Sequence, residues 1–144
     1  LGLNVGESLT SDDAETLTKV KEILKEYNKK IVLPFDAIVG KKYDDNYVVS
    51  KDINKLANDE IIGDIGPKTL KVYKKIIDES KTIFMNGTAG IYEEAKFSNG
   101  TLELLNIVTS SSAKTIAGGG VLELLTSLIW LINLLIFQLV VVLR

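Results

Sequence analysis

The sequence contains neither cysteine nor histidine. Without cysteine, the chain forms no disulfide and offers no thiolate ligand to a metal. Without histidine, it lacks the commonest general base, every serine–histidine or cysteine–histidine nucleophile and most zinc geometries. Any chemistry therefore has to come from carboxylates, lysines, backbone amides or a bound metal ion.

The chain also has little net charge, −2 at pH 7, and its basic residues are scattered. Because there is no basic patch, we expect no nucleic-acid partner. The 144 residues suffice for one domain with a real core but not for two. The start, LGLNVGESLTSDD, has no basic or apolar region typical of a targeting peptide and no initiator methionine. We expect the chain to be a piece of something longer.

Residues 1–120 alternate apolar runs with amphipathic stretches, as a soluble α/β domain does. Helical spacing predicts a helix to about Tyr27 capped by Thr10 or Ser11, a second that starts at Gly66-Pro67, and a third capped by Thr101. Short β-rich runs predict strands at 31–40 (two runs broken by Pro34), 46–50, 81–85 (a buried strand) and 114–117. Strands that alternate with helices predict a partial doubly wound, Rossmann-like parallel sheet.

Two glycine-bearing turns follow predicted strands, Asn86-Gly87 after 81–85 and the triple glycine 118–120 after 114–117. Ligands of such sheets bind beyond the carboxyl ends of the strands. Glycines that lead into a helix let an anion approach the backbone N–H groups. A triple glycine is also an ordinary tight turn, so both interpretations stay open. Glu93 could accept hydrogen bonds from sugar hydroxyls or simply be solvated, and the segment 64–67 is interpreted as a turn and helix start.

Three segments together resemble the phosphoglycerate kinase family: GDIGPKT (63–69), FMNGTAGIYEEAKFSNGT (84–101) and KTIAGGG (114–120). LNVGESL and KIVLPFDAIV, further upstream, fit the same family. The resemblance covers residues 1–120, most of the later part of the nucleotide-binding C-terminal domain. It implies a cytoplasmic, usually monomeric glycolytic enzyme that transfers a phosphoryl group between 1,3-bisphosphoglycerate and ADP. Its products are 3-phosphoglycerate and ATP, and the cofactor is ATP or ADP with Mg²⁺.

The resemblance implies nucleotide contacts at six positions. Glu93 matches the acid that binds the ribose, and Asn86 with Gly87 matches the loop near the transferred phosphate. Gly119 and Gly120, which follow Gly118, match the glycines at the start of the phosphate-binding helix.

This chain departs from the family pattern at three positions near the phosphates, and the family's glycine just before the Asp-Ile-Gly-Pro segment has no clean match, since Ile62 and Gly63 straddle it. Met85 and Thr88 replace residues of the usual Trp-Asn-Gly-Pro wording. Val121 stands where the family has the aspartate that holds the magnesium of the nucleotide. Phosphoryl transfer depends on positioning and charge neutralisation. We therefore assign no catalytic residue and no metal ligand, and we expect no catalysis by this chain.

The residues after Gly120 read VLELLTSLIWLINLLIFQLVVVLR, an aberrant hydrophobic stretch with helical potential. Codons for the family's Ile-Ser-Thr-Gly-Gly-Gly-Ala-Ser, read one base late, spell FQLVVVL and then the terminal Arg144. We therefore hypothesise a frameshift just after Gly120, which divides the chain into a partial nucleotide-binding domain, 1–120, and a tail, 121–144. Resequencing the locus tests this: the absence of family homology in the neighbouring frame would reject it.

A membrane anchor is the alternative, which would make the chain a non-catalytic, membrane-anchored nucleotide-binding module. About twenty apolar residues can span a bilayer core of roughly 30 Å. However, Trp130 lies in the middle of the run, and the flanks lack the Lys/Arg asymmetry that orients a span. A buried core helix is a third interpretation. We do not expect a membrane partner.

Overall fold

The computed structural model describes residues 2–10, 13–42 and 44–125. They form two compact units, which divide between Thr69 and Leu70. The elements in chain order are α1 (Ala14–Glu26), β1 (Asp36–Lys41), β2 (Asp44–Asp52), β3 (Glu60–Ile65), α2 (Pro67–Asp78), β4 (Thr82–Asn86), α3 (Asn99–Ser110) and β5 (Lys114–Gly118). Short 3-10 turns occupy Ile53–Lys55 and Ala95–Phe97, and residues 120–125 are helical.

The first unit contains an antiparallel three-stranded sheet in the order β2-β1-β3. The prediction of a parallel sheet is wrong for these strands. Only residues 42 and 43 separate β1 from β2, and a connection this short allows only a hairpin, since parallel strands need a long crossover. The core of this unit is the buried set Ala37, Val39 and Leu56.

The strand boundaries in this unit also differ from prediction. Residues 31–34 lie in no strand, so of the two runs predicted at 31–40 only the second forms one. Strand β3 is not predicted, because its sequence EIIGDI carries a glycine and two acids that obscure the apolar alternation. Helix α1 begins after Asp13, whose carboxylate accepts a hydrogen bond from the Thr16 N–H at 2.9 Å. Thr10 is therefore not the cap, and Ser11 lies outside the described residues.

The segment 4–8 is attached to the entry of β3 by hydrogen bonds. The Glu7 N–H donates to the Glu60 carbonyl at 2.8 Å, and the Ile62 N–H donates to the Ser8 hydroxyl at 2.8 Å. Gly6 has φ +58°, and a β-carbon there would lie 2.0 Å from the Glu60 carbonyl oxygen. The glycine of the LNVGESL segment thus has a structural cause, because only glycine permits the close approach of residue 6 to the Glu60 carbonyl.

The second unit contains β4 and β5 as parallel neighbours. Helix α3 and residues 120–125 pack on one face of this pair, around the buried side chains of Met85, Leu105, Val108, Val121 and Leu124. Side chains on the other face are exposed, with Phe84 at 69% and its register partner Ile116 at 46%. The prediction of a buried strand at 81–85 is therefore wrong, because among the described residues only one face is covered.

The starts of helices α2 and α3 can be compared with the two predicted helix starts. Helix α2 begins at Pro67, as predicted from Gly66-Pro67. Helix α3 begins at Asn99 after Ser98, so the prediction of Thr101 as its cap is wrong. Thr101 lies in the first turn and is fully buried.

The predicted hydrophobic tail lies largely outside the described residues. Only 121–125 are described, as part of the helix over 120–125. Within the described ranges, no helix has the length and apolar character needed to cross a bilayer. The division at residue 120 and the frameshift stay predictions.

Candidate functional site

Both glycine turns lie at the carboxyl edge of the β4–β5 pair. Asn86, the last residue of β4, is in register with Gly118, the last residue of β5. The parallel pairing therefore places the two turns side by side, at the edge where sheets of this kind bind ligands. The helical residues 120–125 begin directly after the second turn.

The two turns fit against each other through a glycine. Gly87 has φ +83° and Gly119 has φ +61°, both in the left-handed region that favours glycine. A β-carbon on Gly119 would lie 2.3 Å from the Oδ1 atom of Asn86. At Gly87 and Gly120, by contrast, a β-carbon would meet no atom of the described residues within 4 Å. The backbone on both sides of the contact is thus open to an approaching ligand.

Glu93 lies on the loop that joins β4 to α3 and is exposed. Its carboxylate makes no hydrogen bond and no ion pair within the part of the chain that the structure describes. It lines a cleft of about 300 Å³ together with Tyr92, Ala95, Ser98, Leu102 and Leu124. Leu124 belongs to the helix that begins at Gly120, so this helix connects the cleft to the glycine turns.

The loop that carries Glu93 is anchored by packing and by a hydroxyl. Phe97 is fully buried, and Tyr92 packs against the core of the second unit. The Thr101 hydroxyl oxygen accepts a hydrogen bond from the Ala89 N–H at 3.0 Å. The sequence contains no signal for this anchor, because its pattern marks Thr101 only as a candidate helix cap.

Comparison with known proteins identifies the family. A statistical model described as "Phosphoglycerate kinase" matches residues 1–127. The chain belongs to the phosphoglycerate kinase family. The resemblance drawn from the three sequence segments is confirmed.

Relatives and solved structures within the family agree with this assignment. The chain is 42% identical over 120 residues to the phosphoglycerate kinase of Wigglesworthia glossinidia brevipalpis, which covers 83% of this chain and 29% of that protein. It is also 42% identical over 124 residues to the phosphoglycerate kinase of Finegoldia magna, and this match covers 83% of this chain and 31% of that protein. The structure of phosphoglycerate kinase from Coxiella burnetii matches with a TM-score of 0.80 and 31% identity, over 88% of this chain and 34% of that one. The chain therefore spans about a third or less of the phosphoglycerate kinases that it matches.

Val121 stands at the position where the resemblance implies the magnesium-binding aspartate of phosphoglycerate kinase. Its side chain is 0% exposed and packs with Met85, Leu105 and Val108 in the core. A buried valine has no donor atom for a cation, so the residue present does not fit the metal. No group of three or more acids that could hold a metal ion occurs among the residues that the structure describes.

The GDIGPKT segment also carries the phosphoglycerate kinase resemblance. It contains the start of α2, whose free N–H groups are already bound by a carboxylate of the same chain. The Asp36 carboxylate accepts hydrogen bonds from the N–H groups of Lys68 at 2.9 Å and Thr69 at 2.8 Å. The Thr69 hydroxyl donates to the same carboxylate at 2.7 Å. A β-carbon on Gly66 would lie 2.3 Å from the carboxyl carbon of Asp36. The interpretation of 64–67 as a turn and helix start is confirmed for the helix start at Pro67, but the turn is wrong for Asp64 and Ile65, which are the last residues of β3.

Burial and hydrogen bonding oppose each other at Asp36, which is 1% exposed. Burial raises the pKa of this carboxyl, but hydrogen bonds from the Thr69 hydroxyl and from the Lys68 and Thr69 N–H groups outweigh it, so the pKa lies below its usual value. An internal anion thus occupies the positive end of α2 and leaves no place for a ligand phosphate. No sequence motif singles out Asp36.

Proposed function

We propose that the chain binds an adenine nucleotide, ADP or ATP, at the carboxyl edge of β4 and β5. The observation that supports this is the contact between Asn86 and Gly119 at the point where two parallel strands end and a helix begins. In the whole protein this site serves a cytoplasmic, monomeric glycolytic enzyme, phosphoglycerate kinase. That enzyme transfers a phosphoryl group between 1,3-bisphosphoglycerate and ADP and yields 3-phosphoglycerate and ATP.

The site residues have distinct roles in this proposal. The backbone around Gly87 and Gly118–Gly120 approaches the phosphates, because glycine leaves the N–H groups accessible and the helix start favours negative charge. Asn86, in the first turn, lies against Gly119 of the second turn and contacts the same anion. Glu93 accepts hydrogen bonds from the ribose hydroxyls, for which an exposed carboxylate is suited.

Titration with ADP, followed by calorimetry, tests the binding proposal. Replacement of Glu93 by glutamine (E93Q) is expected to weaken ADP binding about tenfold, since a hydrogen bond to a charged group is worth roughly 1.5–3 kcal/mol. Glu94 offers a matched control, because it is exposed on the same loop and pairs with Lys96 at 3.5 Å. E94Q is expected to bind ADP as the unchanged chain does. Absence of saturable binding, or equal losses in the two variants, would reject the proposal.

We further propose that residues 1–144 do not catalyse phosphoryl transfer. The chain spans 29–31% of the relatives compared above, and Val121 offers no ligand to the magnesium of the nucleotide. Phosphoryl transfer needs both positioning and charge neutralisation. A coupled assay with 3-phosphoglycerate and ATP is expected to show no turnover by the purified chain. Turnover that scales with protein concentration would contradict this.

A further inference from the structure

Thr101 connects α3 to the loop between the proposed nucleotide contacts. Its side chain is 0% exposed, and its hydroxyl oxygen accepts a hydrogen bond from the Ala89 N–H at 3.0 Å, twelve residues earlier in the chain. Ala89 lies between Gly87, which follows β4, and Glu93. The hydrogen bond therefore holds the segment 87–93, whose conformation determines the distance between Gly87 and Glu93.

Local sequence does not determine the conformation of this segment. Gly87 has φ +83°, and a β-carbon there would meet no described atom within 4 Å. Glycine adopts many conformations at similar energy. The Thr88 hydroxyl donates to the Gly90 carbonyl at 3.1 Å, and the Tyr92 N–H donates to the same carbonyl at 2.9 Å. Those bonds stay inside the loop, whereas the bond from Ala89 ties the loop to a helix.

We propose that Thr101 is a positioning residue of the nucleotide site. Through the Ala89 N–H it fixes Asn86 and Gly87 on one side and Glu93 on the other in the geometry that binds the nucleotide. Thr101 itself does not touch the nucleotide, because its side chain is buried beneath the loop. The inference rests on the proposed nucleotide binding.

A purely structural role predicts different measurements. If the hydroxyl only stabilised the fold, its removal would lower the free energy of unfolding and leave the ADP affinity of folded molecules unchanged. If it positions the loop, its removal also weakens ADP binding well below the unfolding temperature. The backbone amide of Ala89 reports directly on the anchor, since a hydrogen-bonded N–H exchanges slowly with solvent.

Three variants of the full chain test the proposal by ADP titration and amide hydrogen exchange. T101V keeps the shape of the side chain but removes the acceptor. It is expected to weaken ADP binding about fivefold and to accelerate exchange at Ala89. T101S keeps the hydroxyl and is expected to bind ADP within about twofold of the unchanged chain. T109V is the matched control, because the Thr109 hydroxyl lies on the same helix but, among the described residues, donates only to the carbonyls of Leu105 and Asn106.

Each result then has a definite meaning. Unchanged ADP affinity in T101V, with faster exchange at Ala89, overturns the positioning role. If the unchanged chain does not bind ADP, the proposed function fails and this role fails with it. If T101V does not fold, hydrogen exchange at the Ala89 amide of the unchanged chain tests the proposal instead. ADP is expected to slow this exchange further. An Ala89 amide that is unprotected, or whose exchange rate does not respond to ADP, overturns the proposal.

Discussion

The Oδ1 atom of Asn86 fills the space that a β-carbon on Gly119 would need, with only 2.3 Å between the two positions. The contact joins the ends of two parallel strands, so the shape of one turn depends on the other. Because Gly119 also has φ +61°, any other residue there is disfavoured both by its backbone conformation and by Asn86.

Replacement of Gly119 by alanine is therefore expected to lower the free energy of unfolding by about 2–4 kcal/mol and to weaken ADP binding. Gly120 is the matched control, since within the described part of the chain a β-carbon there meets no atom within 4 Å. G120A is expected to change stability by less than about 1 kcal/mol. Urea unfolding of both variants measures the difference. Equal losses would contradict the role that we assign to the Asn86 contact.

The buried Val121 predicts that magnesium contributes little to nucleotide binding by this chain. Without a carboxylate ligand at this position, ADP affinity is expected to change less than about threefold between excess Mg²⁺ and EDTA. V121D is not expected to create the missing site. A charge introduced at a fully buried position costs several kcal/mol, so this variant should unfold much more readily than V121T. A strong magnesium dependence in the unchanged chain would show that other residues bind the ion.

Adjacent residues of β4 test which face of the sheet is covered. Met85 is 7% exposed and belongs to the core, whereas Phe84 is 69% exposed. M85A is expected to lower the free energy of unfolding by about 2–4 kcal/mol, and F84A by less than about 1 kcal/mol, because little apolar surface of Phe84 is buried. Thermal or urea unfolding compares the two. A loss above about 2 kcal/mol in F84A would show that the second face is covered in solution.

The strand at Phe84 also shows what sequence pattern can and cannot determine. The apolar run KTIFM predicts a strand, and a strand is present, but the run does not say how many of its faces are covered. The same applies to β1 and β2, where β-rich composition predicts strands but only the short connection between them determines that they are antiparallel. Strand β3 escapes prediction because Gly63 and Asp64 interrupt its apolar residues, although both are buried in the fold.

Some features of the candidate site can likewise be predicted from the sequence, and others cannot. Glycines after strands are readable from sequence, and the parallel register brings Asn86 next to Gly118 as the alternation of strands and helices implies. Asp36 and Thr101 are not readable as anchors, because their partners lie 33 and 12 residues away. Long-range hydrogen bonds of single side chains leave no periodic trace in a sequence.

The Glu60 carboxylate provides a test by pH, because it is fully buried in the first unit. Its oxygens accept hydrogen bonds from the Ala57 N–H at 2.8 Å and from Lys51 and the Tyr47 hydroxyl, each at 2.5 Å. Burial alone raises the pKa of this carboxyl, but these bonds outweigh it and lower the pKa from 4.5 to about 2.

A carboxyl whose pKa is lower in the folded chain adds stability above its unfolded pKa and loses it as pH falls through the folded value. The contribution of Glu60 is thus complete above pH 4.5 and declines toward pH 2. E60Q is expected to be about 2–3 kcal/mol less stable than the unchanged chain at pH 7, and the gap should shrink between these two pH values. E103Q, at an exposed position on α3, should keep the stability of the unchanged chain throughout. Urea unfolding at several pH values measures the gap, and a gap that stays constant down to pH 2 would mean that the ionised Glu60 carboxylate is not the source of the stability.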